Sequence, residues 1–225
     1  MSYQFIHVDK SASELSYNAK KYKDLRLKAL KESPEAFTST WAVESSFADD
    51  VWVSRLLDPE KETFVCVYNS PDQDPEWVAQ VTLRGPLAAA DFALPPEAGQ
   101  VVNLGDEKWH MFSLYTSLSH RGKKVGSRLC QRTFQFLSEK RATQVTNVSL
   151  RLMVRPDNEI SIRMYQGLGF LETGRCTVEE GLRANGEAEL IPKGPLGEKY
   201  TTRIGVIMAI RLRPARDNGV VDIDA

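Results

Sequence analysis

Residues 158–170 read NEISIRMYQGLGF. Asn158 suits the position before the first turn of a helix, because its side-chain oxygen can accept a hydrogen bond from an amide of that turn. Gly169 suits the left-handed residue that follows a helix end. Tyr165 between them could pack in the core with its hydroxyl at the edge. Beside a thiolate it could instead donate a proton, since the unperturbed pKa values lie within about two units. The stretch predicts a short helix and leaves the role of its tyrosine open.

A basic turn precedes this helix by about thirty residues, where residues 121–127 read RGKKVGS between a predicted strand and a predicted helix. Free amides and the positive end of the helix dipole form a site for phosphate oxygens at such a turn. Glycines let a ligand approach the main chain closely, and Arg121, Lys123 and Lys124 supply positive charge. A basic turn is also often only solvated surface. The turn alone therefore does not decide its function.

Hydrophobic periodicity elsewhere predicts the order strand, two helices, three strands, helix, strand, helix and two strands. The predicted strands lie at about 3–8, 63–68, 77–83, 110–116, 148–154, 170–178 and 202–212. Residues 86–106 and 181–200 are expected to be irregular insertions. Because no repeat or linker divides the chain, we expect one α/β domain with a mixed sheet over residues 1–213 and a polar tail at 214–225.

The composition excludes several classes of function. The 225 residues include 29 basic and 30 acidic side chains, so a nucleic-acid partner held by bulk charge is not expected. The chain has no secretory signal and no apolar run near the roughly 20 residues of a membrane helix, which predicts a cytoplasmic protein that does not bind membranes. Cys66, Cys130 and Cys176 lie too far apart for a Cys-x-x-Cys motif, and the three histidines lack ligand spacing. We therefore predict buried reduced thiols and no metal.

The two stretches, in this order and separation, resemble the signature segments of the Gcn5-related N-acetyltransferase (GNAT) family. The Arg/Gln-x-x-Gly-x-Gly/Ala turn of that family matches at Arg121 and Gly126, with Lys124 where the first glycine usually stands. Its Asn-x-x-Ala/Ser-x-x-x-Tyr-x-x-x-Gly-Phe helix matches at Asn158, Ser161, Tyr165, Gly169 and Phe170. Residues 25–37 also look like the first helix of many members, so the resemblance covers roughly residues 3–212.

The resemblance implies a mixed seven-stranded sheet, splayed between strands 4 and 5 and flanked by about four helices, with acetyl-CoA in the gap. Two sets of residues would bind acetyl-CoA through the backbone. The turn amides that would hold its pyrophosphate belong to Arg121, Gly122, Lys123, Lys124, Val125, Gly126 and Ser127. The strand residues that would pair with its pantetheine arm are Leu114, Tyr115 and Thr116. Asn158 and Ser161 would contact the cofactor, as would Tyr165, which would also protonate the departing thiolate. The side chain of Lys124 must then point away from the pyrophosphate.

The resemblance predicts direct transfer of an acetyl group from acetyl-CoA to a primary amine of a small molecule or amino acid. Strand amides near Thr116 would stabilise the developing oxyanion. Glu107 and His110, at or near the start of the fourth strand, are candidates by position for the base that takes the proton of the amine. The alternatives are a protein lysine or N-terminal acetyltransferase and a catalytically silent acyl-CoA-binding module. We expect a monomer or a homodimer.

Overall fold

Seven strands form one mixed sheet in the computed structural model, which describes residues 1–11, 13–139 and 147–213. The strands are β1 (Ser2–His7), β2 (Lys61–Ser70), β3 (Gln73–Leu87), β4 (Glu107–Thr116), β5 (Val148–Val154), β6 (Leu171–Cys176) and β7 (Gly205–Leu212). Their order in the sheet is β1-β2-β3-β4-β5-β7-β6. This confirms the number of strands and their order along the chain. The tail predicted at 214–225 lies outside the described residues.

Strands β4 and β5 are parallel, whereas β1 pairs antiparallel with β2, and β7 pairs antiparallel with both β5 and β6. The pairing of β4 with β5 runs from Glu107 opposite Val148 to Met111 opposite Leu152. Strand β4 continues to Thr116, beyond the last of these pairs. The mixed sheet is confirmed, and the splay expected between strands 4 and 5 stays a prediction.

Helices fill the connections between strands, and the described residues contain eight α-helices. They are α1 (Leu15–Glu32), α2 (Trp41–Glu44), α3 (Asp49–Leu57), α4 (Ala89–Phe92), α5 (Val125–Glu139), α6 (Glu159–Gly167), α7 (Val178–Asn185) and α8 (Glu198–Thr201). Three of them, α2, α4 and α8, are only four residues long. Helix α1 buries Ala19, Tyr22, Leu25 and Ala29, whose spacing of three and four residues places them on one face.

Helix α7 differs from the expectation that a strand runs to about residue 178 and is followed by irregular chain. Strand β6 ends at Cys176, and Thr177 caps α7. The Thr177 hydroxyl accepts a hydrogen bond from the Glu180 amide at 3.1 Å, and the Glu180 carboxylate accepts one from the Thr177 amide at 2.9 Å. This reciprocal capping box satisfies two amides that the first helical turn leaves without a partner, so the chain turns into a helix there.

The described contacts group the chain into two compact units. The first comprises Met1–Leu83 and Ser113–Thr133, and the second comprises Arg84–Phe112 and Phe134–Ala225. In the first unit, α1 and α3 contribute Leu25 and Trp52 to a buried cluster that also contains Val65 of β2 and Tyr115 of β4. The largest fully buried residues of the second unit include Trp109, Arg151, Phe170 and Met111. Arg151 is unusual among them because it carries a charge.

The cysteines agree with the expectation of buried reduced thiols. Cys66, Cys130 and Cys176 are all buried and form no disulfide. Burial raises the pKa of each thiol to about 12. Within the described ranges, no helix has both the length and the apolarity to cross a bilayer. The same ranges contain no group of three or more His, Cys, Asp or Glu side chains arranged to bind a metal.

Candidate functional site

The end of β4 carries a local distortion at Ser113, whose φ of 56° lies in the left-handed region. Arg26 of α1 supports it, because its Nη1 donates a hydrogen bond to the Ser113 hydroxyl at 3.2 Å. Tyr115 is buried and donates its hydroxyl hydrogen to the Glu32 carboxylate. Burial and this carboxylate raise the pKa of Tyr115. Because the phenol is bound to α1, Tyr115 can offer a ligand only its backbone, as expected for a strand that pairs with an extended group.

A buried ion cluster holds Arg26 in place. Glu44 is 0% exposed and lies 2.6 Å from Nη2 of Arg26 and 2.8 Å from Nη1 of Arg55. Burial alone would raise the pKa of Glu44, but the adjacent Arg26 and Arg55 lower it below its usual value. Both arginines also lie over the ring of a phenylalanine, Phe37 for Arg26 and Phe47 for Arg55. The cluster therefore fixes the guanidinium that supports the distorted strand.

The turn after β4 is tied to its surroundings by its own basic side chains. Arg121 donates from Nε to the Thr116 carbonyl at 3.0 Å and from Nη2 to the Ser33 hydroxyl at 2.9 Å. Lys123 Nζ donates to the Ser119 carbonyl at 3.0 Å. These two side chains therefore shape the turn, and their positive charge is directed at backbone and hydroxyl oxygens of the protein.

Lys124 adopts the conformation that a glycine would supply, with a φ of 59°, and Gly122 has a φ of 74°. The first hydrogen bond of α5 that we observe runs from the Arg128 amide to the Lys124 carbonyl at 3.0 Å. The amides of Val125, Gly126 and Ser127 precede it, so they have no carbonyl partner within the helix. Three amides at the positive end of a 15-residue helix fit an anionic group such as a pyrophosphate.

Helix α6 follows its sequence prediction closely. The Asn158 side chain accepts a hydrogen bond from the Ser161 amide at 3.3 Å, so the donor that it can still offer a ligand is its NH₂ group. Gly169 has a φ of 91°, which is the left-handed cap expected there. Tyr165 is 7% exposed, and its ring centroid lies 5.7 Å from that of Phe170 in an edge-to-face arrangement. Tyr165 is therefore held rigidly on α6.

The two candidate bases on β4 have different surroundings. The Glu107 carboxylate accepts a hydrogen bond from Nε1 of Trp109 at 2.6 Å. His110 is buried, and its Nε2 lies 3.0 Å from Oδ1 of Asn185 at the end of α7. Burial, reinforced by the charge of Arg151, lowers the pKa of His110 to about 3, although the contact with Asn185 opposes the shift. His110 is therefore neutral near pH 7.

The protonated nitrogen of His110 can be assigned from its hydrogen-bond partners. The NH₂ group of Asn185 donates to the Glu187 carboxylate at 3.0 Å, so Oδ1 of Asn185 faces His110 and must accept. His110 Nε2 is then the donor, which leaves the lone pair on Nδ1. That Nδ1 atom is buried and has no hydrogen-bond partner among the residues that the structure describes. Both candidates therefore have lone pairs: the Glu107 carboxylate on its two oxygens, and His110 on Nδ1, where the low pKa makes it a weak base.

A cavity of about 750 Å³ lies within the second unit, and parts of residues 86–106 and 181–200, which the sequence predicts as irregular insertions, line it. Residues from the end of β3, the α4 segment, β5, α7 and the α8 segment contribute, including Arg84, Arg151, Glu180, Arg183 and Arg203. A further signal in the sequence is an arginine at the centre of the strand VSLRLMV, between two leucines. A charged residue at the middle of an otherwise apolar central strand suggests a functional role.

A family model described as the acetyltransferase (GNAT) family matches residues 27–170. No curated protein matches the chain by sequence.

Three solved structures illustrate the structural similarity. Arabidopsis thaliana NAA60 in complex with a bisubstrate analogue has 12% identity and a TM-score of 0.57, covering 93% of this chain and 98% of that one. The ribosomal-protein-S18-alanine N-acetyltransferase from Escherichia coli has 13% identity and a TM-score of 0.53, covering 97% and 99%. Salmonella typhimurium yncA with acetyl-CoA has 13% identity and a TM-score of 0.52, covering 98% of each chain. At these identities the similarity establishes a shared fold.

Proposed function

Because the chain belongs to the GNAT acetyltransferase family, we propose that it transfers the acetyl group of acetyl-CoA directly to a primary amine of a small molecule or amino acid. The reaction of the family is acyl-CoA-dependent N-acetyl transfer, in which acetyl-CoA supplies the acetyl group as a reactive thioester. The predictions of a cytoplasmic location, of a monomer or homodimer and of no nucleic-acid partner stay predictions.

The observation that carries the proposal is the conformation of the turn at Lys124. A lysine where the family has a glycine could have closed the anion site by forcing a different backbone. Instead Lys124 has a φ of 59°, and the amides of Val125, Gly126 and Ser127 lie ahead of the first α5 hydrogen bond that we observe. We therefore assign these amides to the pyrophosphate of acetyl-CoA, and the backbone of β4 near Tyr115 to its extended arm.

The proposed chemistry gives each proton a defined donor or acceptor. The amine nitrogen forms a bond to the acetyl carbon while the carbon–sulfur bond breaks, so the amine loses one proton and the sulfur gains one. Tyr165 would donate its phenolic proton to the sulfur and regain one from water. Water would take the proton of the amine, because a pKa of about 3 makes Nδ1 of His110 a hydrogen-bond acceptor but a weak base. Direct transfer requires no thiol nucleophile, which fits three buried cysteines with raised pKa values.

The size of the cavity in the second unit favours a small acceptor. Its volume of about 750 Å³ lies in the range of pockets that enclose small molecules. A cavity of this volume has room for a small molecule or amino acid, which supports the proposed class of acceptor.

The first experiment is calorimetric titration of acetyl-CoA into the wild type and into Gly126→Glu. The new carboxylate stands in the first turn of α5, so it should repel the pyrophosphate and abolish binding. Gly105→Glu is the matched control, because Gly105 is exposed, does not have a positive φ and lies outside the turn. Circular dichroism verifies that each variant is folded. A folded wild type that binds no acetyl-CoA would contradict the proposal.

The second experiment offers polyamines, amino acids and short peptides to the enzyme with acetyl-CoA and measures release of free CoA. Release with small amines supports the proposal. Release with peptides alone would show a protein acetyltransferase. Binding of acetyl-CoA without release by any acceptor would show a silent acyl-CoA-binding module.

A further inference from the structure

Arg151 lies at the centre of β5, is 0% exposed and lines the cavity of the second unit. On one side of its guanidinium, Nη1 donates two hydrogen bonds, which uses both of its hydrogens. Nη1 donates to the Phe92 carbonyl and, at 2.7 Å, to Oε1 of Gln100. The ring of Phe92 stacks on the guanidinium, with the carbon Cζ 4.0 Å from the ring centroid. These contacts fix the plane of the group and the direction in which its other donors point.

The other edge of Arg151 is without partners. Nε and Nη2 are buried and find no hydrogen-bond acceptor within the described ranges of the chain. No carboxylate forms an ion pair with Arg151 among those residues, and burial lowers its pKa to about 10. Burying a cation without a counter-charge lowers the stability of a fold. Such a position is therefore unusual for an arginine whose role is only structural.

The other arginines that line the cavity are already engaged. Arg183 pairs with Glu179 at 2.8 Å, and Arg203 pairs with Glu180 at 2.6 Å. Arg84 donates from Nη1 to the carbonyls of Arg183 and Ala184 near the end of α7, each at 3.1 Å. Four acidic residues line the same cavity, namely Asp91, Glu179, Glu180 and Glu189. Arg151 differs from the other three arginines because two of its donors are buried without an acceptor among the described residues.

His110 lies beside Arg151, because the two residues are opposite each other in the register of β4 and β5. After Nε and Nη2 of Arg151, Nδ1 of His110 is the third buried polar atom of these two residues that has no partner among the described residues. The second unit thus brings together two parallel N–H donors and one acceptor on neighbouring strands. This set is complementary to a group that has two adjacent oxygens and a nearby N–H, as an α-amino acid has.

We propose that the acceptor carries a carboxylate, most simply as a free amino acid, and that Nε and Nη2 of Arg151 bind this carboxylate side-on. This inference rests on the proposed function, since it names the substrate class of the same reaction. The two N–H groups on that edge are parallel and match the two oxygens of a carboxylate.

The unpartnered donors of Arg151 distinguish between kinds of acceptor. Nε and Nη2 suit a carboxylate, whereas a polyamine offers them no acceptor and would bring positive charge beside the guanidinium. A lysine side chain within a peptide has no carboxylate next to its amine, so it would leave the two donors of Arg151 without partners. Burying unpartnered donors costs about 1–3 kcal/mol, which is the physical basis of the discrimination.

The experiment compares matched acceptors on the wild-type enzyme with acetyl-CoA. Four amino acids are tested, each beside its methyl ester. They are glycine, L-methionine, L-phenylalanine and L-glutamate, the last compared with its α-methyl ester. The kcat/KM from CoA release should be at least about tenfold higher for the free amino acid that the enzyme prefers than for its ester. Propionate, which has the carboxylate but no amine, should inhibit competitively against the amino acid. This comparison needs no variant.

The variant Arg151→Met then assigns the effect to this residue. It should lower kcat/KM for the amino acid at least about tenfold and leave kcat/KM for the ester within about threefold. Arg151→Lys keeps the positive charge but lacks the two parallel N–H donors. Its kcat/KM for the amino acid should lie between those of the wild type and Arg151→Met. Arg175→Met is the matched control, since Arg175 is exposed on β6 and does not line the cavity. Acetyl-CoA affinity, measured by calorimetry, should be equal in all four proteins.

The outcomes separate the two proposals. Equal kcat/KM for acids and esters would overturn the carboxylate inference while acetyl transfer stands. If no amine releases CoA although acetyl-CoA binds, the proposed function fails. In that case, calorimetric titration of the four amino acids into the wild type and into Arg151→Met still tests the carboxylate inference. Equal affinity in the two proteins, or no binding to either, overturns it.

Discussion

Lys124 illustrates how a residue can depart from a family pattern and still keep its geometry. Side chains with a Cβ avoid the left-handed region because the Cβ approaches the following carbonyl, at a cost of roughly 1–2 kcal/mol. Lys124 accepts this cost at a φ of 59°. Residue type alone could not have predicted this, because a lysine usually adopts other backbone angles. The neighbouring glycines and Arg121 were sufficient to predict the turn.

Replacing Lys124 with glycine should therefore stabilise the protein. Loss of the Cβ removes the local strain, and the greater freedom of glycine in the unfolded chain offsets part of the gain, so the free energy of unfolding should rise by up to about 1 kcal/mol. Urea denaturation measures it. Lys123→Gly is the control, because Lys123 does not have a positive φ and should lose stability. A Lys124→Gly protein less stable than the wild type would contradict the prediction.

Tyr165 can be tested without disturbing its packing, because phenylalanine keeps the ring that contacts Phe170. If the hydroxyl donates a proton to the departing sulfur, Tyr165→Phe should lower kcat about 100-fold, as is typical when a general acid is removed. Calorimetry should show acetyl-CoA affinity within about twofold of the wild type. Equal turnover in the two proteins would remove Tyr165 from the catalytic role.

His110 should make the stability of the protein depend on pH. The folded protein keeps His110 neutral down to a pKa of about 3, whereas the unfolded chain takes up a proton near 6.5. Between these values the unfolded state binds more protons, so the free energy of unfolding falls as the pH is lowered below about 6.5.

From pH 7 to pH 5, the wild type should lose about 2 kcal/mol more stability than His110→Gln, measured by urea denaturation. The control is His7→Gln, since His7 is only partly buried. Losses of the same size in the wild type and His110→Gln would show that His110 titrates normally in the fold.

At the scale of elements, the strands and the helices that contact the sheet were predictable because their signals are local. Alternation in β4 and β5 and the capping residues of α6 are present in a few consecutive residues. Helix α7 was missed although the capping box at Thr177 and Glu180 stands in the sequence, because residues 171–178 also suit a strand. The cavity was predictable only in part: residues 86–106 and 181–200 stood out as insertions, but the contribution of β5 depends on how α4, α7 and β5 come together in the fold.

Helix α7 positions groups that matter to the cavity, so its cap can be tested. Thr177→Ala removes a hydrogen bond from the Glu180 amide and should cost about 1 kcal/mol of unfolding free energy. Amide hydrogen exchange should accelerate in α7, and the contact between Asn185 and His110 should weaken with it. Thr201→Ala is the control, because Thr201 is exposed at the end of α8. Unchanged exchange in α7 would contradict the role of the cap.

At the scale of the whole molecule, all three thiols are protected by the fold. Their pKa values of about 12 predict that a disulfide reagent at pH 8 reacts with fewer than one thiol per native chain, and with all three after denaturation. Absorbance of the released chromophore measures this. CoA release should persist after treatment of the native enzyme. Rapid loss of activity would show that a cysteine takes part in the reaction.

The division of the chain into units also has a consequence for its synthesis. The first unit combines Met1–Leu83 with Ser113–Thr133, so residues 84–133 must be made before it is complete. At about 5–20 residues per second, this takes roughly 3–10 s. Tyr115, which joins the core cluster of Leu25 and Trp52, is added during that interval. For several seconds on the ribosome, the nascent chain therefore exposes an apolar surface that it cannot yet cover, which is when we expect it to depend most on chaperones.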